Sequence, residues 1–65
     1  MEYTNSEIKA LIEEHIHSRR DRQVLILRLV DGLTFEKIAE EMDLSVRHTK
    51  TIVYKAEEIL FKHLK

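Results

Sequence analysis

The chain has 65 residues, 35% of them charged, with no Cys, no Pro, one Gly and a formal net charge of −1. Without Cys, neither disulfides nor thiolate metal sites can supplement a core. A domain of this length buries only about 60% of the surface its unfolded chain exposes, so residues 1–65 are expected to form one all-α domain of modest stability, because sheet turns usually draw on Gly and Pro.

Thr4 and Glu7 stand at capping-box spacing, and Ile8, Leu11, Ile12 and Ile16 then recur at helical intervals, which predicts a first helix from about Asn5 to His17. Ser18 and Asp21 repeat the start signal. The run "VLILRLV" from Val24 to Val30 is apolar nearly all round apart from Arg28, as in a central, heavily buried helix. Gly32 suits the left-handed C′ position that would end it.

Thr34 caps a third helix of about two turns, with Phe35, Ile38, Ala39 and Met42 inward and Glu36, Lys37, Glu40 and Glu41 outward. Asp43 and Leu44 make a turn, and Ser45 caps a fourth helix over about 46–64. Its apolar stripe is Thr49, Ile52, Val53, Ala56, Ile59, Leu60 and Leu64. The expected architecture is a tri-helical core plus an N-terminal helix. The third helix, a short connection and a long fourth helix have the spacing of a helix-turn-helix, with Ala39 small where the two helices approach and Leu44 plugging the turn.

The net charge conceals an asymmetry. Residues 1–14 carry four Glu against one Lys, whereas residues 45–65 carry five Lys or Arg against two Glu. On the fourth helix Arg47, Lys50, Thr51 and Tyr54 fall at i, i+3, i+4 and i+7, flanked by His48 and Lys55. This stripe offers donors and no carboxylate. Arg and Lys donate to guanine O6 and N7, Thr reaches a base or a thymine methyl, and Tyr reaches phosphate or sugar. Arg47, His48, Lys50, Thr51 and Tyr54 are therefore the candidate base readers of double-stranded DNA. Thr34, Lys37 and Lys55 are the candidate phosphate contacts, helped by the free N–H groups that begin the third helix. Arg19, Arg20 and Arg22 form a second basic cluster that suits backbone phosphate, a partner protein or a plain exposed turn.

Catalysis is not expected. The four His are scattered, no Gly-rich phosphate loop is present, and Ser6, Ser18 and Ser45 stand where caps are needed. No cofactor or metal is implied. No apolar run approaches the roughly 20 residues of a membrane span, and the N-terminus lacks a basic segment followed by a long apolar one. A cytoplasmic protein without membrane contact is the expectation.

The stretch "DRQVLILRLVDGLTFEKIAEEMDLSVRHTKTIVYKAEEIL" resembles region 4 of sigma-70 family transcription factors, especially the extracytoplasmic-function group, and more distantly the DNA-binding domain of LuxR-type regulators. The likeness rests on "DRQVL", on "GLTFEKIAEEM" before the turn, on "LSV" across it, and on Lys50 and Ala56. It implies a recognition helix that reads the −35 promoter element and a domain that docks on the RNA polymerase flap. Arg47, His48, Lys50, Thr51 and Lys55 would then look toward DNA, and Thr34 and Lys37 toward backbone phosphate.

Three features depart from the family pattern. Asp43 stands where many such turns carry Gly, and Asp tolerates the left-handed conformation better than most residues. Thr49 stands where an apolar residue is usual, so its hydroxyl is expected to bond back to the preceding turn. No region 2 accompanies the stretch, which suggests a stand-alone transcriptional regulator of phage or mobile-element type. The rival expectation is a module that docks on RNA polymerase, a sigma factor or a second copy of itself without reading DNA. Phe61 and Leu64 on the distal fourth helix could serve such a homodimer.

Overall fold

The computed structural model describes residues 3–63, and it consists of four helices in the order α1 (Asn5–His15), α2 (Arg19–Leu29), α3 (Phe35–Met42) and α4 (Val46–His63). Each start is written into a short polar side chain. At α1 the capping box is complete: the Glu7 amide donates to Thr4 Oγ1 at 3.2 Å and the Thr4 amide donates to Glu7 Oε1 at 2.8 Å. Ser18 Oγ accepts from the Asp21 amide at 3.3 Å, Thr34 Oγ1 from the Lys37 amide at 3.1 Å, and Ser45 Oγ from the His48 amide at 3.0 Å. Each bond satisfies a donor that has no partner within its helix, a contribution of about 1 kcal/mol.

α1 ends two residues before the expected His17. Ile16 is an extended C-cap (φ −109°, ψ 116°) and is buried. The reason is tertiary: the Arg22 guanidinium donates through Nε to the Ile16 carbonyl and through Nη2 to the Glu13 carbonyl, the latter at 2.8 Å. Carbonyls that a further turn of helix would have satisfied are bonded from α2 instead, and the chain is free to turn Ile16 into the core.

α2 is the central helix, packed against α1, α3 and α4. Val24, Leu25 and Leu27 are buried along it. Arg28, the one charge in the apolar run, lies half-buried with Nη1 donating to the Leu33 carbonyl at 2.9 Å. The helix is capped at Val30, and Gly32 follows at φ 71°, one residue beyond the expected C′ position. Beyond its two chain neighbours, nothing lies within 4 Å of where a Gly32 Cβ would sit, so its backbone conformation rather than space is what favours glycine there.

α3 places Ile38 and Ala39 in the core, and α4 adds Thr49, Ile52, Val53, Ala56 and Leu60. At one hundred degrees or so per residue, those five α4 positions span an arc of about 100°. Ile59 falls just outside that arc and is 42% exposed, contrary to its assignment to the inward stripe. Ile59 instead lines a cleft between α4 and the α1–α2 junction, together with His15 and Ile16. The rings of His15 and His63 stack there, centroids 3.9 Å apart, at the ends of the two helices. Leu64 lies outside the described residues, as does any extension of α4 to that position.

Candidate nucleic-acid interface

The unit that presents the candidate residues is α3, its turn and the first half of α4. Asp43 is left-handed, with φ 56° and ψ 46°, and is the only non-glycine with positive φ among the described residues. That geometry ends α3 abruptly and sends the chain across it. Leu44, half-buried, donates its amide to the Ala39 carbonyl at 2.9 Å and packs on the core. Ala39 is buried on α3 and accepts that bond, so a larger side chain there would have to displace its packed surroundings. Thr49 is 0% exposed, and its hydroxyl donates to the Ser45 carbonyl at 2.9 Å. A polar residue is thereby tolerated at an apolar position, because its only strong donor is satisfied within the helix.

Arg47, His48, Lys50, Thr51, Tyr54 and Lys55 are all exposed on the outer side of α4. Helical geometry spreads them over an arc of about 160°, with Lys50 and Tyr54 at one edge, Arg47 and Thr51 in the middle, and Lys55 and His48 at the other. The first turn of α4 contains no acidic residue. The two edges meet different neighbours. Lys50 and Tyr54 gather on Phe35: the Lys50 ammonium lies 5.7 Å from the centre of the Phe35 ring, and the Tyr54 ring meets it edge-on at 5.9 Å between centroids. His48, Thr51 and Lys55 instead line a cleft of about 350 Å³, across from His15, His17, Ser18 and Arg20 at the junction of α1 and α2.

Thr51 is less free than its exposure suggests. Its hydroxyl donates to the Arg47 carbonyl at 3.1 Å, which leaves its methyl group and oxygen lone pairs for a ligand. At the start of α3, Thr34 Oγ1 accepts the capping bond and keeps its own proton to donate. Lys37 lies 3.9 Å from Glu40, an exposed pair worth roughly 0–1 kcal/mol that a phosphate can displace.

The basic cluster at the start of α2 divides. Arg22 is spent on the end of α1. Arg20 pairs with Asp21 at 3.3 Å and opens on the cleft shared with His48 and Lys55. Sequence reading identified the cluster but could not separate its members, and it missed His17 and Arg20 as neighbours of α4. It also assigned Phe35 to the core alone. No local signal places its ring beside the outer face of α4, since its partners come from α2 and α4.

The arrangement defines a helix-turn-helix, with α3 as the bracing helix and α4 as the exposed one. The family model for sigma-70, region 4 matches residues 18–60, from the Ser18 cap to Leu60, and the chain belongs to that family. The match takes in α2, α3 and nearly all of α4 and leaves α1 outside. Comparisons with curated proteins and with solved structures returned no match. Region 4 of sigma-70 is a DNA-binding helix-turn-helix region that in general also interacts with RNA polymerase, so DNA binding is the property that membership brings. No helix among the described residues is long and apolar enough to cross a membrane.

Proposed function

We propose that the chain is a sequence-specific transcriptional regulator that inserts the N-terminal half of α4 into the major groove of double-stranded DNA, acts in the cytoplasm, and needs neither a cofactor nor a catalytic step. The observation that carries this reading is the contiguous outer face of α4, exposed and without a carboxylate through its first turn, on a helix braced across α3. A buried or acid-bearing face could not approach phosphates without desolvation or repulsion.

In this reading Arg47, His48, Lys50, Thr51 and Tyr54 face base edges. Thr34 and Lys37 hold one phosphate strand from the start of α3, and Lys55 holds the other. Arg20 and His17, which share the cleft with Lys55 and His48, extend that second backbone contact. These 65 residues should bind without further domains attached. Salt titration of duplex binding tests the reading: three to five neutralised phosphates predict a slope of log K against log salt of roughly −3 to −4.5. A slope near zero would contradict it.

A protein-docking role is favoured for the distal half of α4, where Ile59 and Phe61 are 42% and 58% exposed. RNA polymerase is the partner that family membership suggests, and a homodimer through the same surface is the other. Sedimentation of the free chain across concentration distinguishes them, since only self-association shifts with protein concentration.

A further inference from the structure

Phe35 opens α3 and is half-buried. Groups from α2 and α4 meet on its ring: the Arg28 guanidinium carbon at 4.3 Å from the centroid, the Lys50 ammonium at 5.7 Å, and the Tyr54 ring edge-on at an interplanar angle of 73°. Packing alone does not call for an aromatic there. The buried core already includes Ile38 of α3 and Val53 of α4, both 0% exposed, with Phe35 packed at its margin, and an aliphatic side chain would cover the same half-buried surface. What an aliphatic residue lacks is the negatively polarised face that attracts cations and the edge of a second ring.

We propose that Phe35 is a positioning residue for DNA reading: its ring, backed by Arg28, holds the Lys50 ammonium and the Tyr54 ring on the outer face of α4 before DNA is bound. The inference rests on the proposed base-reading role of α4. Arg28 is itself fixed, with Nη1 bonded to the Leu33 carbonyl at 2.9 Å, so the ring sits against an anchored cation. Lys50 has a flexible four-carbon stem whose freedom is lost when it bonds a base, and a stem already ordered on the ring loses less. Base choice is then set partly by a side chain that touches no base.

The test uses the full chain and the best-bound duplex recovered from a random pool, with the ratio of its affinity to that for bulk random duplex as the readout. Phe35→Leu should lower this ratio about two- to fivefold, the size of an exposed cation–π contact, with binding to random duplex unchanged. Phe35→Tyr, which keeps a ring, should retain wild-type selectivity. In a Lys50→Ala background, Phe35→Leu should lose most of its effect, as coupled neighbours do in a double-mutant cycle. Independently of any variant's folding, the Lys50 ε-methylene protons of the wild-type chain should show an upfield ring-current shift in NMR.

Undiminished selectivity in Phe35→Leu, an equal loss with and without Lys50, or the absence of that shift would each overturn the proposal while leaving base reading intact. A wild-type chain that selects no sequence would remove base reading and the positioning role together, although the ring-current shift would still be seen.

Discussion

The two halves of α4 share one inward stripe and differ on the outside. From Val46 to Lys55 the outer face is donor-rich and free of carboxylates; beyond it come Glu57 and Glu58, then the exposed Ile59 and Phe61. The buried positions run through both halves without a break, from Thr49 to Leu60. One continuous rod therefore carries two chemically distinct surfaces, and the backbone that aims the first also aims the second. The difference teaches that in a chain this small the core and the ligand faces are assigned residue by residue around each helix rather than segment by segment along it.

The comparison breaks most completely if the shared anchor is removed. Ile38→Ala, at a fully buried position of the shared core, should cost about 2–5 kcal/mol of unfolding free energy, measured by urea denaturation, and should abolish the functions of both halves together. Lys50→Ala separates them. It should cost about 1–3 kcal/mol of binding to the preferred duplex and relax base choice, with stability unchanged within roughly 0.5 kcal/mol. The turn that aims both halves is probed at Asp43, whose φ of 56° disfavours most side chains. Asp43→Ala should lower stability by about 1 kcal/mol, whereas Asp43→Gly should hold or raise it, by thermal melting.

Lys37→Ala should weaken all duplexes about equally and make the salt slope shallower by about 0.9, the share of one phosphate contact. The smallest effect belongs to the distal half: Phe61→Ser should leave duplex affinity unchanged within error while weakening any protein contact made there. A marked loss of DNA affinity in that variant would erase the division between the two surfaces.

The elements that were legible in the sequence are those decided within a few residues. Thr4 with Glu7, Ser18, Thr34 and Ser45 each cap the helix that follows them, because a cap is a bond between neighbours. The left-handed Asp43 and the back-bonded Thr49 were readable for the same reason: each conformation is a local preference of its own side chain. What was not legible depends on residues far apart in the chain. The end of α1 at His15 is set by Arg22 of α2, and Ile59 opens on a cleft whose far wall is the α1–α2 junction. The gathering of Arg28, Lys50 and Tyr54 on Phe35 joins three helices. No periodicity within one helix encodes that meeting.

In the candidate site, the exposure of Arg47, His48, Lys50, Thr51, Tyr54 and Lys55 followed from helical spacing alone. Their division into an aromatic-backed edge and a cleft edge did not, since it needed the positions of Phe35 and of the α1–α2 junction.

The central claim is that the outer face of the first half of α4 reads DNA sequence, and selection of duplexes from a random pool by the purified chain tests it most directly. A short common motif should be enriched, and its strictest positions should relax when Lys50 is replaced by Ala. A pool that emerges unenriched after successive rounds, at salt low enough to retain binding, would contradict it.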